Sequence, residues 1–110
     1  MPRSPFRPDF LRLMDRWRGG PLAVCSSNSR EAVLAALDRI GAREQFGTVV
    51  GREDVGRLKP SPEGLNAILE REAVPSGRAL FVGDRGTDVS AGESAGVPVL
   101  QLVAHEADEP

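Results

Sequence analysis

A pair of acids four residues apart is the first feature of this sequence that could do chemistry. Asp84 and Asp88 follow an apolar run of strand length that ends at Gly83. Carboxylate oxygens are the protein ligands that Mg²⁺ prefers, and Mg²⁺ takes only one or two of them beside water or phosphate. The spacing therefore predicts a weak Mg²⁺ site at Asp84 and Asp88, with a solvated turn that happens to carry two acids as the alternative.

A cluster of small polar residues, Ser26-Ser27-Asn28-Ser29, lies between another apolar run and a helical pattern. Hydroxyls, unpaired backbone N–H groups and the positive end of a helix dipole together attract anions. The pattern thus predicts that Ser26, Ser27 and Asn28 bind phosphate. The alternative is ordinary helix capping by Asn28 or Ser29, which needs only one such residue.

A single lysine stands out among the basic residues. Lys59 is the only lysine, and the other 13 of the 14 basic residues are arginines. An ammonium group is a compact point charge, unlike the planar fork of a guanidinium, so it suits close approach to a phosphate. We interpret Lys59 as the group that balances phosphate charge, with chance survival of one lysine as the alternative.

The elements that must position these groups alternate between helix and strand over one domain, residues 1–110. The predicted helices are about 9–18, 30–40, 62–72 and 87–95, and the predicted strands are 21–25, 46–50, 79–82 and 97–102. Such alternation is typical of an α/β fold with a mostly parallel sheet covered by helices. Because the carboxyl ends of parallel strands share one edge of the sheet, the three polar groups should meet there.

Composition excludes several other classes of function. The net charge is −2 with no long run of one sign, which argues against nucleic acid or a membrane surface as partner. No apolar run approaches the ~20 residues of a membrane span, and the first residues do not form a signal peptide. A single cysteine excludes an internal disulfide, and together these features predict a cytoplasmic protein.

Three segments of the chain resemble motifs of the haloacid dehalogenase superfamily. Residues 22–30 are similar to its motif II, residues 59–62 to motif III and residues 83–88 to motif IV. The resemblance is to the phosphoglycolate phosphatase and β-phosphoglucomutase subgroup. It implies a Rossmann-like three-layer sandwich and a phosphatase-type hydrolase acting on a phosphorylated small molecule. It further implies catalytic roles for Lys59 and Ser26, phosphate binding by Ser26, Ser27, Asn28 and Lys59, and Mg²⁺ at Asp84 and Asp88.

The sequence departs from that family at the nucleophile. The family attacks phosphorus with the first Asp of a D-x-D-x-T loop after its first strand, and residues 1–110 contain neither a D-x-D nor the family's cap domain. The resemblance therefore implies a truncated domain, the second half of the family's core, which is inactive alone. Two alternatives are a non-catalytic binding or assembly module and one half of a split phosphatase completed by another chain.

The missing strand also affects the predicted fold. In the family it lies in the middle of the sheet, so about four mostly parallel strands should remain around a gap. Unpaired buried backbone groups cost about 1–3 kcal/mol each, against a total stability of about 5–15 kcal/mol. The flanking strands could pair directly, or a second copy or a separate chain could fill the gap. A mis-assigned or split gene start is the third explanation.

Overall fold

Helices and strands alternate along the chain in the predicted order. A computed structural model describes residues 8–17 and 20–102. The helices are α1 (Pro8–Arg16), α2 (Arg30–Arg39), α3 (Glu63–Glu72) and α4 (Gly86–Ala95), and the strands are β1 (Leu22–Cys25), β2 (Phe46–Val50), β3 (Phe81–Gly83) and β4 (Val99–Gln101). No helix in these ranges is long and apolar enough to cross a bilayer.

The element boundaries differ from the predicted ones by at most two residues, and those of β2 are identical. Helix α1 begins at Pro8 rather than after Asp9, because the fixed φ of proline suits a first helical turn. Helix α3 begins at Glu63, whose N–H donates to Ser61 Oγ at 3.2 Å. The three prolines among residues 1–8 predict an irregular start, but Pro8 is the first residue of α1. The acidic run from His105 to Pro110 predicts a frayed tail, and it lies outside the described residues.

The strands form two separate parallel ladders instead of one sheet. Strand β1 pairs only with β2, and β3 pairs only with β4, among the residues that the structure describes. Cys25 lies opposite Val50 in the first ladder, and Gly83 lies opposite Gln101 in the second. The α/β class with short parallel strands is confirmed. The two strands that flank the expected gap do not close up and pair with each other.

Hydrogen-bond directions identify the edge of each ladder that has no neighbouring strand. Ser26 N–H donates to Val50 O of β2 at 2.9 Å, so the backbone groups of the preceding Cys25 point away from β2. Phe81 N–H donates to Pro98 O at 2.9 Å, and Gly83 O accepts from Leu102 N–H at 2.8 Å. The backbone groups of Val82 between them therefore point away from β4.

The main core lies between α2 and the β1–β2 ladder. Leu37 is fully buried, and Val33, Ala42 and Val49 complete the buried cluster. Leu34 of α2 and Ile40, which follows the helix, pack against this cluster while partly buried. Helix α3 contacts β1, β2 and α4, so it links the two ladders.

Packing of α4 on β4 depends on Gly92. A Cβ added at this residue would overlap Val99 Cγ2 of the neighbouring strand. We expect Gly92→Ala to lower the free energy of unfolding by about 1 kcal/mol net. The overlap costs about 1–3 kcal/mol and outweighs the gain of up to about 1 kcal/mol in helix propensity. Urea unfolding followed by circular dichroism measures this.

The matched control for that substitution is Gly86→Ala in the same helix. An added Cβ there meets nothing within 4 Å. This variant should be neutral or slightly stabilised. Equal effects of the two substitutions would contradict the proposed packing of α4 on β4.

Candidate functional site

The Lys59 ammonium connects the ends of the two ladders. Lys59 Nζ donates to Asp88 Oδ1 at 2.6 Å and to the backbone oxygen of Cys25 at 3.3 Å. It also lies over the ring of Phe81, 5.5 Å from the centroid. The side chains of the ion pair are only 14% and 6% exposed, so the charges attract each other with little screening by water.

Asp88 holds the turn that follows β3. Its Oδ2 accepts from the N–H groups of Asp84 at 3.1 Å and Arg85 at 3.2 Å, while its Oδ1 faces Lys59. The carboxyl group folds back so closely that a Cβ on Gly83 would overlap it. Residue 83 must therefore be glycine, because the side chain of Asp88 occupies the space that a Cβ would need.

Ser26, Ser27 and Lys59 line one pocket at the carboxyl ends of β1 and β2. The cavity itself is small, about 10 Å³, and its other lining residues include Val50, Val55, Arg57 and Leu58. Of the residues predicted to bind phosphate, Ser26, Ser27 and Lys59 thus line one pocket.

Asn28 takes a different position from its two neighbours. Its side chain is exposed and is not among the pocket-lining residues. Its N–H donates to Ser26 Oγ at 3.1 Å, and its backbone oxygen accepts from Arg52 N–H at 2.9 Å. Asn28 thus orients the Ser26 hydroxyl instead of offering its N–H group to the pocket.

The N-terminus of α2 already has acceptors from within the chain. Ser29 is the N-cap, and its hydroxyl accepts from Ala32 N–H at 3.1 Å. Glu53 Oε1 accepts from Arg30 N–H at 2.7 Å, so a carboxylate occupies the positive end of the helix dipole. Glu53 gives no local signal in the sequence for this role, because it lies 23 residues from Arg30 in the chain.

The acids fit a weakly held Mg²⁺. No three His, Cys, Asp or Glu side chains group as a metal-binding set within residues 8–17 and 20–102. Asp84 is exposed, whereas Asp88 is 4% exposed and its two oxygens already accept three hydrogen bonds. Mg²⁺ that takes one or two carboxylates and fills its other positions with water and phosphate matches this donor set.

Cys25 is a packing residue beside the lysine. Burial raises the pKa of its thiol above the ordinary 9.0, Lys59 lowers that pKa by a smaller amount, and Asp88 adds to the increase. The thiol is therefore protonated at neutral pH and is a poor nucleophile. Cys25 thus acts as a small apolar residue in β1.

Comparison with known proteins identifies the family. The model of the family described as haloacid dehalogenase-like hydrolase matches residues 13–102. This chain belongs to the haloacid dehalogenase-like hydrolases.

Individual relatives agree with that assignment. The chain is 36% identical to the phosphoglycolate phosphatase of Rhodospirillum rubrum over 93 residues, which are 84% of this chain and 39% of the relative. It matches a haloacid dehalogenase-superfamily hydrolase of Geobacter sulfurreducens with a TM-score of 0.77 and 32% identity, over 86% of this chain and 45% of that one. It matches CbbY of Rhodobacter sphaeroides, solved with phosphate, with a TM-score of 0.81 and 27% identity, over 94% and 48%. The chain therefore spans less than half the length of these relatives.

The buried ion pair should contribute strongly to stability. Lys59→Met leaves the Asp88 carboxylate buried without its cation, and we expect a loss of about 3 kcal/mol in unfolding free energy. The double variant Lys59→Met/Asp88→Asn should recover about half of that loss, because no unpaired charge remains. Urea unfolding of both single variants and the double variant gives the coupling energy. Additive losses in the double variant would show that the two side chains are not coupled.

Proposed function

We propose that this chain binds a phosphorylated small molecule together with Mg²⁺ at the edge where the ladders end. The observation that carries the proposal is the position of Lys59 Nζ. This atom lies 3.3 Å from the backbone oxygen of Cys25, at the end of β1, and 2.6 Å from Asp88 Oδ1. One ammonium thus joins the hydroxyl-lined pocket to the candidate metal ligands. Phosphate and Mg²⁺ bind together at sites of this composition.

Each side chain has a distinct role in the proposal. The Ser26 and Ser27 hydroxyls donate to phosphoryl oxygens, and Lys59 balances the phosphate charge. Asp84 supplies a carboxylate to the metal, with Asp88 as a second ligand through its remaining lone pairs. When bound, Mg²⁺ would neutralise charge on the phosphoryl group. Asn28 contributes indirectly, by its hydrogen bond to Ser26 Oγ.

In this proposal, residues 1–110 bind the phosphorylated ligand but do not hydrolyse its phosphate ester efficiently. The aspartyl-phosphate route of the family needs the first Asp of a D-x-D, and no such pair occurs in the sequence. Positioning of a phosphate by Ser26 and Lys59 provides neither a covalent intermediate nor a general acid. A phosphatase-like domain that is inactive alone follows from these residues.

The relatives support a phosphorylated ligand of small size. One is named a phosphoglycolate phosphatase, CbbY was solved with phosphate, and a CbbY variant was solved with xylulose-1,5-bisphosphate. We extend this class of ligand to the present chain as part of the proposal. The single cysteine, Cys25, fits a reducing cytoplasm as its location.

Magnesium and phosphate binding should be weak but specific. With Mg²⁺ at ten times its dissociation constant, the folded state should gain about 1.4 kcal/mol, visible as a raised melting temperature. Asp84→Asn should abolish this gain because it removes the exposed carboxylate. Glu44→Gln, an exposed acid in the 3-10 turn Arg43–Gln45, is the matched control and should retain the gain.

Turnover of p-nitrophenyl phosphate by the chain should be negligible even with saturating Mg²⁺. The assay compares the unaltered chain with Asp84→Ala at equal concentration. Robust turnover that Asp84→Ala removes would refute the claim of an inactive domain. The metal and phosphate site would then stand as part of a complete enzyme.

The divided sheet favours a second candidate function, in which the chain is one half of a phosphatase. The backbone groups of Cys25 and Val82 point away from their own ladders, on the edges where no described strand pairs. Unpaired strand edges are templates for pairing with another chain. A strand from another polypeptide, parallel to both β1 and β3, would join the ladders into one sheet. Self-association through the same edges is the homo-oligomeric form of this candidate.

A complementation assay tests the second candidate. The chain is mixed with the part of the Rhodospirillum rubrum phosphoglycolate phosphatase that it does not match, and p-nitrophenyl phosphate turnover is followed. Val82→Pro should weaken any gain in turnover, because it removes an N–H from the edge that would receive the strand. Gln101→Pro is the control, since the N–H of Gln101 points away from β3 on the outer edge of β4.

The outcomes separate the candidates. Turnover on mixing that Val82→Pro reduces and Gln101→Pro preserves supports complementation by another chain. A dimer in sedimentation that only Val82→Pro dissociates indicates that a second copy pairs at this edge. A monomer that neither binds the fragment nor gains turnover contradicts the second candidate.

A further inference from the structure

The loop of residues 26–29, called the hydroxyl loop below, lies against the 3-10 turn Arg52–Asp54. Arg52 binds the loop twice. Its N–H donates to Asn28 O at 2.9 Å, and its Nε donates to Ser27 O at 3.1 Å. Both acceptors are backbone oxygens, so the turn holds the loop without using the serine hydroxyls that line the pocket.

The shortest hydrogen bond of this contact comes from Glu53. Its Oε1 accepts at 2.7 Å from the N–H of Arg30, the first residue of α2. A hydrogen bond to an ionised carboxylate is roughly twice as strong as one between neutral groups. The fit is also tight, because a Cβ on Gly51 would overlap both the backbone of Arg30 and Glu53 Oε1. The carboxylate therefore fixes the point where the hydroxyl loop enters the helix.

A hydrogen bond within the loop extends this constraint to Ser26. Asn28 N–H donates to Ser26 Oγ at 3.1 Å. Because Ser26 Oγ accepts there, its own proton is left to donate to a ligand. The loop is held at its other end by the bond from Ser26 N–H to Val50 O at 2.9 Å. The direction of the Ser26 hydroxyl thus depends on a loop that Val50 and Glu53 hold at its two ends.

We propose that Glu53 is a positioning residue that holds the hydroxyl loop in its phosphate-binding conformation before a ligand arrives. It acts through Arg30 and the loop backbone and does not touch the ligand. The inference rests on the proposed function, because it takes Ser26 and Ser27 as phosphate donors. A loop that is already ordered loses less conformational entropy on binding, which strengthens the binding of phosphate.

Amide hydrogen exchange of the full chain without ligand tests the holding of the loop. Glu53→Ala removes the acceptor and the charge, whereas Glu53→Gln keeps an acceptor oxygen. Glu53→Ala should speed the exchange of Asn28 N–H about fivefold, although this N–H bonds Ser26 Oγ and not Glu53. Glu53→Gln should change it by less than about twofold. The N–H of Glu63, which bonds Ser61 Oγ near the start of α3, is the internal control and should be unchanged.

Calorimetric titration of the same chains with inorganic phosphate in Mg²⁺ gives the second readout. Glu53→Ala should weaken phosphate binding about fivefold, because the loop must then be ordered during binding. Glu53→Gln should retain the affinity or raise it by up to about twofold, since the loop stays in place and a negative charge is removed. Glu44→Gln removes an exposed acid in the turn Arg43–Gln45 and is the control for net charge. It should leave the affinity unchanged.

Three outcomes would overturn the role of Glu53. Tighter phosphate binding by both Glu53 variants would show that charge repulsion, not positioning, is its main effect. Faster exchange at Arg30 N–H with no change at Asn28 N–H would restrict Glu53 to capping α2. Unchanged exchange and affinity in Glu53→Ala would show that the carboxylate holds nothing.

A chain that binds no phosphate would refute the proposed function and leave the role of Glu53 to the exchange measurement. Faster exchange of Asn28 N–H in Glu53→Ala alone would then support the holding of the loop. Equal exchange in Glu53→Ala and the unaltered chain would refute it.

Discussion

The contact of Lys59 with Cys25 and Asp88 is the interaction on which the rest of this structure depends. The lysine reaches the unpaired edge of β1 with one hydrogen bond and the turn after β3 with an ion pair. Within the described residues, no strand pairs with both ladders. The contacts of the Lys59 side chain and the packing of α3 connect the ladders instead. A buried ammonium is stable there because a carboxylate and a carbonyl oxygen replace its lost hydration.

The same contact explains why the site has so few groups available for a ligand. Asp88 uses one oxygen for Lys59 and the other for two amides of the turn, and a carboxylate engaged in this way fixes geometry before it binds a metal. Glu53 likewise occupies the start of α2. Asp84, the first acid of the turn, is exposed, whereas Asp88 is buried.

Several features were predictable because they depend on local patterns. Apolar runs of strand length and helical periodicity predicted the order of the eight elements. The ends of the helices differ from the predicted ones because a single hydrogen bond can decide where a helix begins. The bond from Glu63 N–H to Ser61 Oγ is an example. The partners of Glu53 could not be predicted, since its contact joins residues 23 apart in the chain.

The sequence by itself determined the chemistry of the edge: one lysine, a hydroxyl cluster and two acids after strand-like runs define a candidate phosphate and metal site and the family resemblance. Only the tertiary structure decided how those groups are used. It left Asn28 out of the pocket lining and paired Lys59 with Asp88. It also left β1 and β3 unpaired with each other, because strand pairing requires backbone groups to meet at a distance and direction that residue types do not specify.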